Sequence, residues 1–115
     1  MMLRRRMDAM SPPEAAQLLA DGQSARVAFL TAKSSSRTVA ETVSALANAN
    51  GGVVLLGVTQ KGSVQRANDA LALSDLVIEA GLLTDPPLIL PRAQVVELPQ
   101  GPLVALQVPP GLPHI

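Results

Sequence analysis

The strongest pattern of apolar and polar positions along the chain lies between residues 39 and 58. In its first half, apolar residues recur at the spacing of one helix face: Val39, Val43, Leu46 and Ala47. Gly51 and Gly52 then end the predicted helix, because glycine takes the positive φ of a closing residue without a Cβ clash. Residues 53–58 show no polar alternation, so they predict a strand covered on both faces. The pattern therefore predicts a helix packed on a central strand.

The residues before this unit predict a first helix and a short strand. Ser11 and Glu14 have the spacing of a capping box, and the proline after Ser11 suits the first helical position. Residues 25–30 predict a strand, since valine and phenylalanine are enriched there. Thr38 and Glu41 form a second capping box, which we expect to open the central helix.

The residues after the central strand predict a turn, a helix and a hairpin. We expect a turn at 60–63 with a return strand at 64–67, a helix at 74–80, and two strands at 93–98 and 103–108 joined by a tight turn. Asp85-Pro86-Pro87 is a rigid connector by its prolines. The order α-β-α-β-β-α-β-β favours an α+β fold, with helices packed on a mixed or antiparallel sheet.

Length and composition suggest a single soluble domain. A chain of 115 residues has the usual length of one domain. We assign this domain to residues 11–115, after a flexible basic leader at 1–10. The leader lacks the apolar segment of a signal peptide, and no run approaches the ~20 apolar residues of a membrane span. We therefore expect a cytoplasmic protein without a membrane partner. The absence of cysteine excludes disulfides and thiolate chemistry.

Charge is unevenly distributed although the formal net charge is zero. The middle of the chain is basic, with Glu41 set against five cations: Arg26, Lys33, Arg37, Lys61 and Arg66. The last part is acidic, with Arg92 set against five acids: Asp69, Asp75, Glu79, Asp85 and Glu97. This distribution is compatible with a polyanion-binding segment, and equally with scatter over solvated faces.

The chain offers little catalytic chemistry. Gly51-Gly52 lacks the lysine of a phosphate-binding P-loop, and Lys61-Gly62-Ser63 has the wrong order. A zinc site needs about three ligands, and the chain has a single histidine, His114. A serine–histidine–aspartate triad would have to use the same histidine, which lies at the end of the chain. We expect no catalytic residue, no metal and no cofactor.

Asn48 and Asn50 are the polar residues that stand out beside the two glycines. One interpretation is that Asn50 closes the helix and ties down the turn. The other is a polar ligand contact next to a backbone that Gly51 and Gly52 leave open to close approach.

The run VSALANANGGVVLLGV, from Val43 to Val58, resembles the signature of the Schlafen AlbA_2 family, also called the divergent AAA-4 domain. That signature is S-A-x-A-N-x-x-G-G followed by an apolar strand and G-V. Lys61-Gly62, Asp85-Pro86-Pro87 and Val108-Pro109-Pro110-Gly111 also match in order and spacing, so the resemblance covers roughly residues 22–115. Family sequences continue past Pro-Pro-Gly into another strand, which implies a truncated chain whose C-terminal partner domains are missing.

The resemblance implies contact with nucleic acid. Bacterial members are described as DNA-binding domains of transcriptional regulators or helicase-related proteins, and animal relatives include RNA-cleaving enzymes that use carboxylates. Gln23 and Ala28 stand where family members carry two acids, and Leu30 stands where they carry a lysine. Metal-assisted cleavage needs carboxylates to hold the cation, so we expect no nuclease activity.

The leading hypothesis is a non-catalytic nucleic-acid-binding module that contacts phosphates. The alternative is a structural or oligomerisation domain, in which case a homo-oligomer is the expected assembly; a hydrolase with displaced acids is the least favoured. DNA and RNA stay open. The candidate binding residues are Lys33, Arg37, Asn48, Asn50, Gly51, Gly52 and Lys61.

Overall fold

The computed structural model describes residues 10–65, 69–83 and 93–111. Within them the elements are α1 (Pro12–Asp21), β1 (Val27–Leu30), α2 (Ser36–Asn48), β2 (Gly52–Leu56), α3 (Ala70–Leu82), β3 (Ala93–Leu98) and β4 (Gly101–Val108). The predicted α+β class, with helices on a mixed sheet, is confirmed. The leader at 1–9 and the connector at 85–87 lie outside the described residues.

The sheet has the strand order β1-β2-β4-β3. β1 and β2 are parallel, with Phe29 beside Leu55, and α2 forms the crossover between them. β2 and β4 are antiparallel, with Leu55 beside Ala105, and β3 pairs antiparallel with the outer side of β4. The prediction that the apolar strand is central is therefore confirmed.

Both faces of the sheet are covered by helices. Val54 and Leu56 point into a cluster with the buried faces of α2 and α3, whereas Leu55 points into a second cluster with α1. All three side chains are fully buried. Successive strand residues point to opposite faces, so an unbroken apolar run fits a strand between two layers.

Two predicted helix starts have different outcomes. The capping box of α1 is present, because the N–H of Glu14 donates to Ser11 Oγ at 3.3 Å and that of Ser11 to Glu14 Oε1 at 2.8 Å. The capping box predicted at residues 38 and 41 is wrong. Ser35 caps α2 instead, accepting from the N–H of Thr38 at 3.1 Å. Several small hydroxyl residues precede this helix, and the earlier cap adds a turn of hydrogen bonds.

The turn after β2 is confirmed, but its return strand is not found among the described residues. The N–H of Gly62 donates to the Thr59 carbonyl at 2.9 Å, and that of Thr59 to the Ser63 carbonyl at 2.9 Å. Only a single bridge between Val58 and Val64 follows, where we predicted residues 64–67 as a strand. The remaining predicted positions, 66 and 67, lie outside the described residues.

The third helix begins four residues before its predicted start. Asp69 caps α3, accepting at Oδ1 from the N–H groups of Leu71 at 3.0 Å and Ala72 at 3.3 Å. The aspartate cap outweighs the weak periodicity of the first turn. The predicted hairpin of β3 and β4 is confirmed. No helix of the described ranges is long and apolar enough to cross a bilayer.

Ser44 places a hydroxyl group in this apolar core. Ser44 lies on the buried side of α2, and its Oγ has no hydrogen-bond partner among the described residues. A buried hydroxyl without a partner costs about 1–3 kcal/mol, and alanine has the higher helix propensity.

We therefore expect Ser44→Ala to raise the free energy of unfolding by about 1 kcal/mol. Urea denaturation measures this, with the exposed Ser63→Ala as the matched control that should change stability little. A Ser44→Ala protein less stable than the parent would mean that the hydroxyl has a partner.

Candidate nucleic-acid interface

Two loops meet at one end of the sheet because β1 and β2 are parallel. Residues 31–35 follow β1 and residues 57–65 follow β2; together they are called the carboxyl-end loops here. The Leu30 carbonyl accepts from the N–H groups of Gly57 at 2.7 Å and Val58 at 3.1 Å. The N–H of Ala32 donates to Gln65 Oε1 at 2.8 Å. These bonds join the two loops into one surface.

Lys33 and Arg37 lie close in sequence where the first loop leads into α2, whereas the turn that contains Lys61 packs against α1, since a Cβ on Gly62 would lie 2.8 Å from the Leu19 carbonyl oxygen. Lys33 and Lys61 are exposed within the two carboxyl-end loops, and Arg37 is exposed in the first turn of α2. The N-terminus of a helix favours anions through its N–H groups and dipole. Arg37 Nε lies 3.4 Å from Glu41 Oε2, with both side chains largely exposed. Such a pair contributes little stability, so the guanidinium can exchange Glu41 for another anion.

The other four predicted residues lie at the opposite end of α2. A 13-residue helix is about 20 Å long, and Asn48 is its last residue. Asn50 follows with a φ of 77°, and both asparagine side chains are exposed. The structure thus separates Asn48, Asn50, Gly51 and Gly52 from the three cations, and one compact site does not contain all seven.

Gly51 and Gly52 bring segments of this chain together. A Cβ on Gly51 would lie 2.7 Å from the Val108 carbonyl oxygen, and one on Gly52 would overlap the carbonyl oxygen of Arg26. The N–H of Gly111 donates to the Ala47 carbonyl at 3.1 Å, which seats the Pro-Pro-Gly segment against the end of α2. The close approach that the glycines permit is therefore filled by the chain's own backbone. This geometry favours the interpretation that the motif closes the helix.

An acidic cleft borders the carboxyl-end loops on the side of α3. Its volume is about 340 Å³, and it is lined by Ala32, Ser34, Asp69, Ala72, Leu73, Asp75, Leu76 and Glu79. Because its ionisable lining residues are all acids, the cleft repels phosphates and limits an anion-binding surface on this side. Within the described residues, no three carboxylates or imidazoles are grouped closely enough to hold a metal ion.

A second, open groove borders the loops on the side of α1. Its volume is about 690 Å³, and Gly62, Ser63, Val64, Pro99 and Gln100 line it. The β3–β4 turn reaches this end of the sheet because β4 is antiparallel to β2. Sequence reasoning missed Ser63 and Gln100 as surface residues near Lys61, since only strand pairing brings residue 100 close to residue 63.

The positions where the resemblance places acids have structural contacts. Gln23 Oε1 accepts from the N–H of Phe29 at 2.9 Å, on the outer edge of β1. Ala28 is half-buried against the cluster beneath α2 and α3. Phe29, the sole aromatic residue of the chain, is 3% exposed and so cannot stack on a base.

Comparison with protein families decides the relationship. The family model for Schlafen, AlbA_2 matches residues 26–115, which is most of the chain. The chain belongs to the Schlafen AlbA_2 family. No curated protein sequence matches it. The predicted resemblance is thus confirmed, although the match begins after Gln23. In this AlbA_2 domain the S-A-x-A-N-x-x-G-G motif forms the junction from α2 to β2.

Proposed function

We propose that this AlbA_2 domain binds nucleic acid by contacts with phosphates at the carboxyl-end loops. The observation that carries the proposal is the joining of those loops by backbone and Gln65 hydrogen bonds, beside the N-terminus of α2. Lys33, Arg37 and Lys61 are all exposed there. Family membership supports the same role, and the assignment to DNA within a transcriptional regulator or helicase-related protein rests on the family resemblance alone.

The proposal favours duplex over single-stranded ligands. Single-strand binding proteins gain much of their affinity from bases stacked on aromatic side chains. The one aromatic side chain here, Phe29, is buried beneath α1. The remaining source of affinity is electrostatic attraction to the phosphates of the nucleic acid, which does not depend on base sequence and weakens as the salt concentration rises. Cleavage is not part of the proposal, because Gln23 and Ala28 occupy the positions where the resemblance places carboxylates.

We expect weak duplex binding whose salt dependence reflects about three phosphate contacts. The measurement is titration of a fluorescent duplex at two salt concentrations with the parent protein and a Lys33→Glu/Arg37→Glu variant. The variant should lose most of the affinity, because two attractions become repulsions. The salt slope of any residual binding should fall by about two contacts.

A matched pair of single variants controls for net charge. Lys33→Glu and Arg26→Glu change the charge equally at exposed residues, but Arg26 precedes β1 at the other end of the sheet. Equal losses of affinity in the two variants would mean that overall charge, and not the position of Lys33, determines binding. Equal affinity of the parent and the double variant would remove this surface from consideration. No binding by the parent at low salt would favour the structural or oligomerisation alternative.

A further inference from the structure

The junction between α2 and β2 contains an asparagine that is followed by a glycine, Asn50-Gly51. The side chain of Asn50 is exposed, and among the described residues Asn50 is the one non-glycine with a positive φ, 77°. Asparagine before glycine is especially prone to deamidation, because glycine has no side chain to shield its backbone nitrogen from the asparagine side chain. Asn48 is also exposed, but it precedes Ala49, whose methyl group hinders the same approach. The junction therefore holds a reactive asparagine beside a less reactive one.

We propose that Asn50 is a deamidation site, that opening of the α2–β2 junction limits the rate, and that the isoaspartate product prevents the junction from closing again. In the first step the backbone nitrogen of Gly51 attacks Cγ of Asn50 and closes a succinimide ring. The bond from Cγ to the side-chain nitrogen breaks, and that nitrogen leaves as ammonia with the proton of the Gly51 N–H. Water then opens the ring at either carbonyl carbon, which gives aspartate or isoaspartate. The net reaction consumes water, releases ammonia and needs no other reactant.

The closed junction opposes the first step. The N–H of Gly51 donates to the Leu46 carbonyl oxygen at 2.7 Å. The attacking form is the deprotonated nitrogen, so a hydrogen bond that holds the proton lowers its reactivity. A Cβ on Gly51 would lie 2.7 Å from the Val108 carbonyl oxygen and 3.1 Å from the Pro110 nitrogen. Turning the Gly51 nitrogen toward the Asn50 side chain therefore requires that the end of α2 separate from the end of β4.

The last turn of α2 is able to open while the sheet stays folded. The N–H of Ala49 holds this turn by donating to the carbonyl oxygens of Ala45 at 3.1 Å and Leu46 at 3.0 Å. Ala45, Asn48 and Ala49 are all exposed. Exposed hydrogen bonds at element ends open at a lower free energy than the buried core. Deamidation should therefore proceed from the folded protein, but more slowly than from the unfolded chain.

The isoaspartate product does not fit the junction. Its main chain runs through the former side chain, which inserts an extra carbon between position 50 and Gly51. Gly52 follows as the first residue of β2, and a Cβ on it would overlap the carbonyl oxygen of Arg26. With both glycines packed this closely against other backbone segments, the extra length breaks the hydrogen bond from Gly51 to Leu46. The aspartate product keeps the length of the main chain, but it adds a negative charge at the C-terminal end of α2, which the helix dipole disfavours.

The test follows the full chain during incubation in mildly alkaline buffer, with and without urea. Mass spectrometry of the intact protein detects the replacement of an amide by a carboxylate, and peptide mapping locates it and separates isoaspartate from aspartate. In native buffer we expect isoaspartate at position 50 and little change at Asn48, at a rate at least ~10-fold below that in urea. Asn50→Gly is the control without the reactive amide, and it should fold like the parent because glycine accepts a positive φ.

A matched pair of glycine substitutions tests whether the junction limits the rate. Ala45 lies in the last turn of α2 and Ala16 lies in α1, and both are exposed. Glycine lowers the helix propensity similarly at the two positions. Ala45→Gly should speed deamidation severalfold in native buffer and leave the rate in urea unchanged. Ala16→Gly should change neither rate. The isoaspartate fraction of the parent should melt at a lower temperature than the unmodified fraction.

Four results would overturn the proposal. One is the absence of product at position 50 in native buffer once the urea sample has reacted. Another is an equal rate in native buffer and in urea. The third is equal acceleration by Ala45→Gly and Ala16→Gly, which would assign the reaction to global unfolding. The last is an isoaspartate fraction that melts like the unmodified protein. Nucleic acid takes no part in these measurements, so this proposal and the proposed function fail separately.

Discussion

Gly52→Ala should be among the most destabilising single substitutions in this protein, lowering the free energy of unfolding by about 4 kcal/mol or more. Gly52 is the first residue of β2, and a Cβ there would overlap the carbonyl oxygen of Arg26 while lying 3.0 Å from Leu46 Cδ2. The obstructing atom belongs to the backbone at the start of β1, so it cannot rotate away. Relief requires separating β1 from β2 or displacing α2.

Chemical denaturation of the parent and Gly52→Ala measures this effect, provided that the variant retains a folded baseline; failure to fold agrees with the expectation. Gly22→Ala is the informative comparison. Gly22 has a φ of 85°, but no atom lies within 4 Å of its added Cβ. Its ψ of 177° combines with that φ in a region that glycine almost alone occupies, so the substitution should cost only backbone strain, about 1–3 kcal/mol. Equal costs at the two glycines would contradict the assignment of the Gly52 effect to steric overlap.

Leu55→Asp should also unfold the domain or cost several kcal/mol. Leu55 is fully buried in the central strand, between Phe29 of β1 and Ala105 of β4, and it faces the cluster beneath α1. No basic residue belongs to that cluster of described residues. An aspartate there would be a buried charge without a partner, or would be protonated at a cost that grows with pH.

Thermal unfolding at pH 7 and at pH 4 checks the Leu55→Asp prediction. The variant should be closer to the parent at the lower pH, because burial disfavours the ionised carboxylate and protonation removes the charge. Ala93→Asp, at an exposed position in the edge strand, is the control and should change stability little. A Leu55→Asp protein that melts like the parent would refute the placement of Leu55 in the core.

The elements that periodicity predicted are those whose faces are fully buried. The apolar positions of α2 and the unbroken run in β2 could be predicted because each buried position requires an apolar residue, which makes the period visible in the sequence. The start of α2 could not, since Ser35 and Thr38 are both acceptable caps and only tertiary packing selects between them. The start of α3 was missed because Leu71 and Leu82 face outward, which obscures the helical period.

The candidate site was harder to predict than the fold. Lys33 and Arg37 could be placed together because they flank one helix start. The loop of Lys61 reaches the same end of the sheet only through the parallel pairing of β1 and β2, which joins segments distant in sequence. The sequence prediction placed Asn50 and Gly52 in one binding site with the cations. The length of α2 instead places these two residues at the other end of the sheet.

The sequence by itself determined the family, the helix packed on a central strand, and the α+β class, because these follow from local spacing and from the motif at the α2–β2 junction. Tertiary structure alone decided which loops meet at one end of the sheet, what the two glycines touch, and that Leu71, Ile78 and Leu82 of α3 face away from the core. Local patterns specify how each segment folds and which face it buries. Distances between segments depend on strand order and register, which many residues set jointly.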